Sequence, residues 1–220
     1  MKIAIDGPAG AGKSTVAKML AQKLGFIYID TGAMYRALTW KALRLGIELD
    51  NTQSLADLAK STKIHFENEV DQQYIYCDKE NVTEEIRRPE VSLHVSKLAS
   101  LVTIREILVK EQQKMAEYSS VVMDGRDVGE CVLPDATYKF FVTASLEERA
   151  NRRIEELKIQ GYHITYDKVK SDIAQRDDSD AKRQVGSLKV LEDSIIIDTT
   201  GKSIKEVFNI LLSYIDQESR

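Results

Sequence analysis

The sequence is poor in the residues that announce a special environment. Its two cysteines, Cys77 and Cys131, lie far apart and have no C-x-x-C partner. That excludes a disulfide scaffold and leaves reduced thiols, the state expected in the cytoplasm. Three histidines, His65, His94 and His163, share no ligand spacing, so no structural metal is expected. Three prolines mark no long linker, and no internal repeat or low-complexity tract is visible. Apolar runs reach only a handful of residues, far short of a membrane span. The first apolar segment starts at Lys2 or Ile3, which leaves no expected signal peptide. Bulk positive charge is missing too: 31 Lys and Arg against 35 Asp and Glu give a net charge of −4. A chain that holds nucleic acid by a broad positive field is thereby excluded. What remains is a cytoplasmic chain, monomeric by default, with neither nucleic acid nor membrane as partner. Its 220 residues suffice for one substantial core carrying excursions.

Against that background, positions 3 to 15 read IAIDGPAGAGKST, with glycine, proline and alanine concentrated between an apolar strand and a helix. Gly7, Gly12, Lys13 and Ser14 fit the spacing G-x-x-x-x-G-K-[ST]. A loop with so few side chains can wrap a polyphosphate, its N–H groups forming a nest with a helix N-terminus behind them. Lys13, expected to face solvent without ligand, would reach the β- and γ-phosphates, and Ser14 would help hold Mg²⁺. A glycine-rich turn alone is the plainer reading. The context favours the phosphate loop: Ile3–Ile5 reads as buried strand, and Val16, Met19, Leu20, Lys23 and Leu24 follow at helical spacing before Gly25.

Five apolar segments, 2–6, 27–30, 120–124, 138–143 and 194–198, read as buried parallel strands separated by helices. This is the pattern of a doubly wound α/β sheet. Ser145 with Glu148, and Ser203 with Glu206, read as capping boxes. After Ser203, an apolar stripe of Ile204, Val207, Phe208, Leu211, Leu212 and Ile215 is expected to close the core. The stretch 63–104 breaks the rhythm. KIHFENE and QQYIYCD alternate about a polar turn and predict an antiparallel hairpin, and a helix broken once follows from Pro89. A second excursion, NRRIEELKIQGYHITYD, is charge-rich with Gly161 as its breaker.

Three clusters surround the loop. Asp30 and Thr31 end the second strand and Arg36 lies one turn on, at the end of a strand where doubly wound sheets bind ligands. A helix cap beside a solvated arginine explains the same residues. Asp124 ends the third strand, where such folds place the carboxylate that orders a Mg²⁺ water shell, and Arg126 and Asp127 follow. A salt-bridged turn is the alternative. On a helix, Arg176, Asp180 and Arg183 fall at i, i+4 and i+7 on one face, which also suits plain ion pairing. The number of arginines tips the balance: Arg36, Arg126, Arg149, Arg152, Arg153, Arg176 and Arg183 all fall in segments expected at one sheet edge. Their planar forks suit phosphate oxygens.

Seven motifs in order, IDGPAGAGKST, DTGAMYR, EIRRPEV, VVMDGRDVG, ERANRR, RDDSDAKR and IDTTGKSI, make the chain resemble the bacterial cytidylate kinases over essentially its whole length. The resemblance implies a five-stranded parallel sheet of the P-loop nucleoside monophosphate kinase type, with a core of 1–35 and 106–220. It also implies a monophosphate-binding insertion of about 36–105 and a lid of about 149–166. ATP would be the donor and CMP or dCMP the acceptor, with Mg²⁺. Gly7, Pro8, Ala9, Gly10, Ala11, Gly12, Lys13, Ser14, Thr15 and Arg149 would bind ATP; Ser14 and Asp124 would hold the metal, the latter through water. Thr31, Arg36 and Arg126 would meet the acceptor phosphate, while Ser96, Arg105, Asp127 and Arg183 would read cytosine. Arg176 and Asp180 would hold sugar and phosphates, and Lys13, Arg36, Arg126 and Arg176 would carry catalysis. Some relatives carry Gly-Thr after the lysine and Ser where this chain has Thr31; neither difference removes a needed group. A regulatory GTPase would need an Asn/Thr-Lys-x-Asp guanine reader, which is absent, and a shikimate kinase would lack DGRDVG and the RDDSDAKR face. A kinase of UMP or AMP is the nearest rival.

Overall fold

A computed structural model describes residues 1–69 and 73–217. In chain order it contains β1 (Lys2–Asp6), α1 (Lys13–Leu24), β2 (Ile27–Asp30), α2 (Thr31–Arg44), α3 (Thr52–Ser61), β3 (Ile64–Asn68), β4 (Gln73–Cys77), β5 (Glu80–Asn81), α4 (Pro89–Ala99) and α5 (Val102–Met115). Then come β6 (Val121–Gly125), β7 (Tyr138–Thr143), α6 (Leu146–Ile159), α7 (Tyr166–Ala181), β8 (Ile195–Asp198) and α8 (Ile204–Gln217). A single π-turn, Val128–Val132, follows β6.

The main sheet has the order β2-β6-β1-β7-β8, all neighbours parallel. β1 is central, and its apolar run is continuous because both faces are covered. Ile3 and Ile5 point to one side, into a cluster with Val16 and Leu20 of α1, Val122, Phe140 and Val142 of the sheet, and Val207, Leu211 and Ile215 of α8. Ala4 points to the other side, with Ile29, Val121, Met123, Ala116 and the π-turn residues Val128 and Val132. The strand ends carrying Asp6, Asp30, Asp124 and Thr143 are thereby gathered along one edge, where α/β sheets bind ligands.

Between β2 and β6 the chain builds a second layer. α2, α3, α4 and α5 share one cluster around Leu38, Leu55, Leu98 and Ile104. The expected hairpin is present as β3 and β4, antiparallel, with the tiny β5 completing a three-stranded sheet. The tip of its turn, residues 70–72, lies outside the described residues. The long helical stretch breaks at Ser100 and Leu101, between α4 and α5.

Three local expectations need correction, and one helix, α3, is additional. α3 was not anticipated; its Asn51 cap accepts from the Ser54 amide at 3.1 Å. α7 ends at Ala181, so Arg183 is not on its face but follows its C-cap Lys182. Ser203 and Glu206 form the reciprocal capping box, whereas Ser145 caps α6 one way only. Its own amide donates to Thr200, and Glu148 turns instead to Arg152. Ile204 of the C-terminal stripe is exposed, whereas Val207, Leu211 and Ile215 are buried and Phe208 and Leu212, partly buried, pack with them.

Candidate active site

The loop between β1 and α1 closes tightly because it contains glycine where nothing else fits. Gly7 has φ +146°, and a β-carbon there would overlap the Val142 carbonyl of β7. Gly12, the N-cap of α1, is left-handed at φ 87°. The loop curls so that the Lys13 ammonium donates to the Pro8 carbonyl at 2.7 Å. Lys13 is therefore 5% exposed, not solvent-facing as the spacing alone suggests. Burial, then the positive charge of Arg126, lowers its pKa to about 7, against the pull of Asp124.

Asp124 ends β6 beside this loop. Its Oδ2 accepts from the Ser14 hydroxyl at 2.8 Å and its Oδ1 from the Tyr28 hydroxyl at 2.6 Å. Burial pushes its carboxyl up, with the nearby Asp30 charge adding to the effect. Thr31 donates to the Asp124 carbonyl at 2.7 Å. Asp30 caps α2 through the Ala33 amide at 2.9 Å and holds Arg36 at 2.7 Å. Burial would raise Asp30, but Arg36 and that amide outweigh it and its carboxyl lies below the usual range. The cap and the arginine are thus one unit.

Across the cleft, Asp180 of α7 is fully buried and gathers three arginines. Arg126 donates to it through Nε at 2.9 Å, Arg183 pairs with its other oxygen, and the Arg176 Nε lies 4.0 Å away. Burial alone would raise Asp180; the three guanidinium groups bring it down instead. One carboxylate cannot neutralise three cations. Burial, followed by repulsion from Arg126, lowers Arg176 to about 9. Arg105, 2% exposed, pairs with Asp127, while its guanidinium lies 5.4 Å over the Tyr35 ring. Among the described residues, the buried Nε atoms of Arg36, Arg105, Arg176 and Arg183 have no hydrogen-bond partner, nor does the Tyr35 hydroxyl. Donors left unpaired in a buried place are costly, and an anionic ligand would satisfy them.

The remaining arginines divide. Arg149 is buried and internally engaged, donating to the Ala144 and Ala9 carbonyls at 3.1 Å each and to Asp177 at 2.6 Å. Through Nε and Nη1 it braces the loop against α7. Arg152 holds Thr199, whose hydroxyl donates to the Ala11 carbonyl at 3.2 Å, so the DTT segment supports the loop from behind. Arg153 pairs with Glu156 along α6 and stays out of the cluster. Ser96 lies half-buried on α4. Tyr28 and Tyr35 escape sequence reasoning: each lies in an apolar pattern, and the only signal is a hydroxyl-tipped aromatic among aliphatic neighbours. No group of three or more His, Cys, Asp or Glu able to hold a metal occurs among the described residues. Ser14 and Asp124 instead offer a hydroxyl and one carboxylate, hard oxygens of the kind that steady a Mg²⁺ arriving on nucleotide phosphates. No helix of the described residues is long and apolar enough to cross a membrane.

The family model for cytidylate kinase matches residues 3–217. The cytidylate kinase of Caldanaerobacter subterraneus subsp. tengcongensis is 53% identical over 207 residues, covering 94% of this chain and 91% of that one. The cytidylate kinase of Bacillus velezensis is 49% identical over 220 residues, covering 100% and 98%. Among solved structures, a shikimate kinase from Bacteroides thetaiotaomicron aligns with TM-score 0.50 and 16% identity, covering 98% of each chain, a likeness of fold alone. A family model over nearly the whole chain, with relatives about half identical along it, places this chain in the cytidylate kinase family.

Proposed function

We propose that the chain transfers the γ-phosphoryl group of ATP to CMP or dCMP, giving ADP and CDP or dCDP. The observation that carries this reading is the excess of buried positive charge facing the phosphate loop. Lys13 and Arg176 are both held below their usual pKa, and four buried arginine Nε donors lack a hydrogen-bond partner. Two phosphate groups brought together there would supply the missing anions. Catalysis of this transfer is mostly positioning and charge neutralisation. The acceptor is a phosphate oxygen, ionised near neutral pH, so no general base is needed.

In this reading Gly7 through Thr15 cradle ATP, with Lys13 released from Pro8 to the β- and γ-phosphates and Arg149 steadying the loop. Ser14 and Asp124 would help hold Mg²⁺, which would supply further neutralisation of the donor phosphates. Thr31, Arg36 and Arg126 receive the acceptor phosphate, and Arg176 and Asp180 hold its sugar and phosphates. Ser96, Arg105, Asp127 and Arg183 read the base. A carboxylate at Asp127 accepts from the cytosine amino group, and uracil would face it with a carbonyl oxygen. The core of 1–35 and 106–220 carries the chemistry, the insertion of 36–105 encloses the acceptor, and 149–166 closes as a lid that excludes water. The chain acts as a cytoplasmic monomer on this reading. Phosphorus NMR of the chain with ATP, Mg²⁺ and CMP tests it: CDP and ADP should appear in equal amounts. ADP with inorganic phosphate and no CDP would contradict it.

A further inference from the structure

Asp127 occupies the N-cap position of the π-turn Val128–Val132, with φ −146° and ψ 23°, yet its side chain makes no capping bond. An aspartate there would ordinarily turn back onto the first free amides of its own turn. Those amides are already taken. The Asp6 carboxylate, at the end of β1 and directly before Gly7, accepts from the Val128 amide through Oδ1 and the Gly129 amide through Oδ2, both at 2.8 Å. Asp6 is buried, so this bracket is shielded from water. With its own turn capped by a residue 122 positions away, Asp127 is left to pair with Arg105.

We propose that Asp6 is a positioning residue for base selection: by capping the π-turn from β1 it keeps the Asp127 carboxylate directed at Arg105 and the acceptor base. The inference rests on the reading that Asp127 reads cytosine. It also explains why a carboxylate rather than a neutral residue stands at the mouth of the phosphate loop. The same side chain fixes the base-reading turn relative to the donor loop, so the two nucleotides meet at a set distance.

Asp6→Asn separates this role from a plain structural brace. The amide offers one acceptor, and its NH₂ group would face the second backbone N–H, so half of the cap is lost. Asp127 then turns back to supply it. The CMP-over-UMP ratio of kcat/KM should fall on the order of tenfold, with the KM for ATP within about twofold of wild type. Asp127→Asn is measured in parallel, together with the double variant. If Asp6 acts through Asp127, the double variant should show the ratio of Asp127→Asn alone. A ratio unchanged in Asp6→Asn while Asp127→Asn lowers it overturns the role of Asp6 but leaves base reading intact. A ratio unchanged in Asp127→Asn overturns both.

Should Asp6→Asn fail to fold, the wild-type chain answers the same question. Burial raises the Asp6 carboxyl to about 6, and the charged groups facing it are Asp127 from the turn and Lys13 from α1. Protonation would weaken the bracket, so the CMP-over-UMP ratio should decline between about pH 8 and about pH 5.5. CMP and UMP share the same phosphate chemistry, so acceptor ionisation and the charge of Lys13 cancel in the ratio. A ratio constant over that range overturns the proposal.

Discussion

Lys13 shows how a single residue changes meaning between sequence and structure. The spacing of the loop names it, but only the curl of the backbone onto Pro8 shows that its ammonium is buried and partly discharged before any nucleotide arrives. Two predictions follow from that placement. Lys13→Met keeps the stem that fills the site and removes the charge. Transfer should therefore be abolished while circular dichroism is unchanged; turnover above about a tenth of wild type would contradict a catalytic Lys13. The second concerns protons. A lysine held at about 7 is mostly neutral at about pH 8, and the phosphates of ATP raise its pKa, so binding must draw a proton from solution. Calorimetry of ATP binding in buffers of different ionisation enthalpy should give an uptake approaching about one proton near pH 8 and shrinking as pH falls below about 7. In Lys13→Met the uptake near pH 8 should be largely lost. An uptake unaffected by that substitution would show that the nucleotide does not meet this lysine.

At the scale of elements, the helical pair α6 and α7 is the part expected to move. It is held together by its own small cluster of Ala150, Leu157, Val169 and Ile173, separate from the cores that bind the sheet. Arg149 with the Ala9 carbonyl and Arg152 with Thr199 tie it to the phosphate loop side, and Asp180 ties it to Arg126 after β6. Such a unit can shift as a body without opening the main core. Hydrogen exchange across residues 149–166 should slow when a bisubstrate analogue binds, with far less change in β6. Equal protection with and without the analogue would count against a lid. The elements themselves were largely legible: the five sheet strands lie within one residue of the apolar segments that predict them. Strands buried on both faces leave a strong local signal. α3 was legible too: TQSLADLAKS carries an apolar stripe of Leu55, Ala56, Leu58 and Ala59 behind its Asn51 cap, though over only 10 residues. The site was legible as a set of charged residues but not as partnerships. Arg126 and Asp180 meet across 54 positions, and Arg183 joins them from beyond the helix end, so their pairing depends on tertiary packing.

For the whole molecule, a chain of net charge −4 concentrates its buried cations at one sheet edge. The order β2-β6-β1-β7-β8 puts Asp30, Asp124 and Asp6 on neighbouring strand ends, with the phosphate loop leaving β1 at the centre. The layer built between β2 and β6 brings Arg105 to Asp127 at that edge, and α7 brings Asp180 to meet Arg126 there. Donor and acceptor would meet in the middle, and the acceptor's base would face Asp127 and Arg105. On the proposed reading, that arrangement would favour a nucleoside monophosphate bearing an amino group on its pyrimidine ring. The most direct measurement is kcat/KM for ADP formation from ATP with CMP, dCMP, UMP, AMP and shikimate offered in turn. CMP and dCMP should exceed UMP by at least about tenfold, as expected when a charge-assisted hydrogen bond is lost, and AMP and shikimate should give almost nothing. A preference for UMP, AMP or shikimate over CMP would contradict the account.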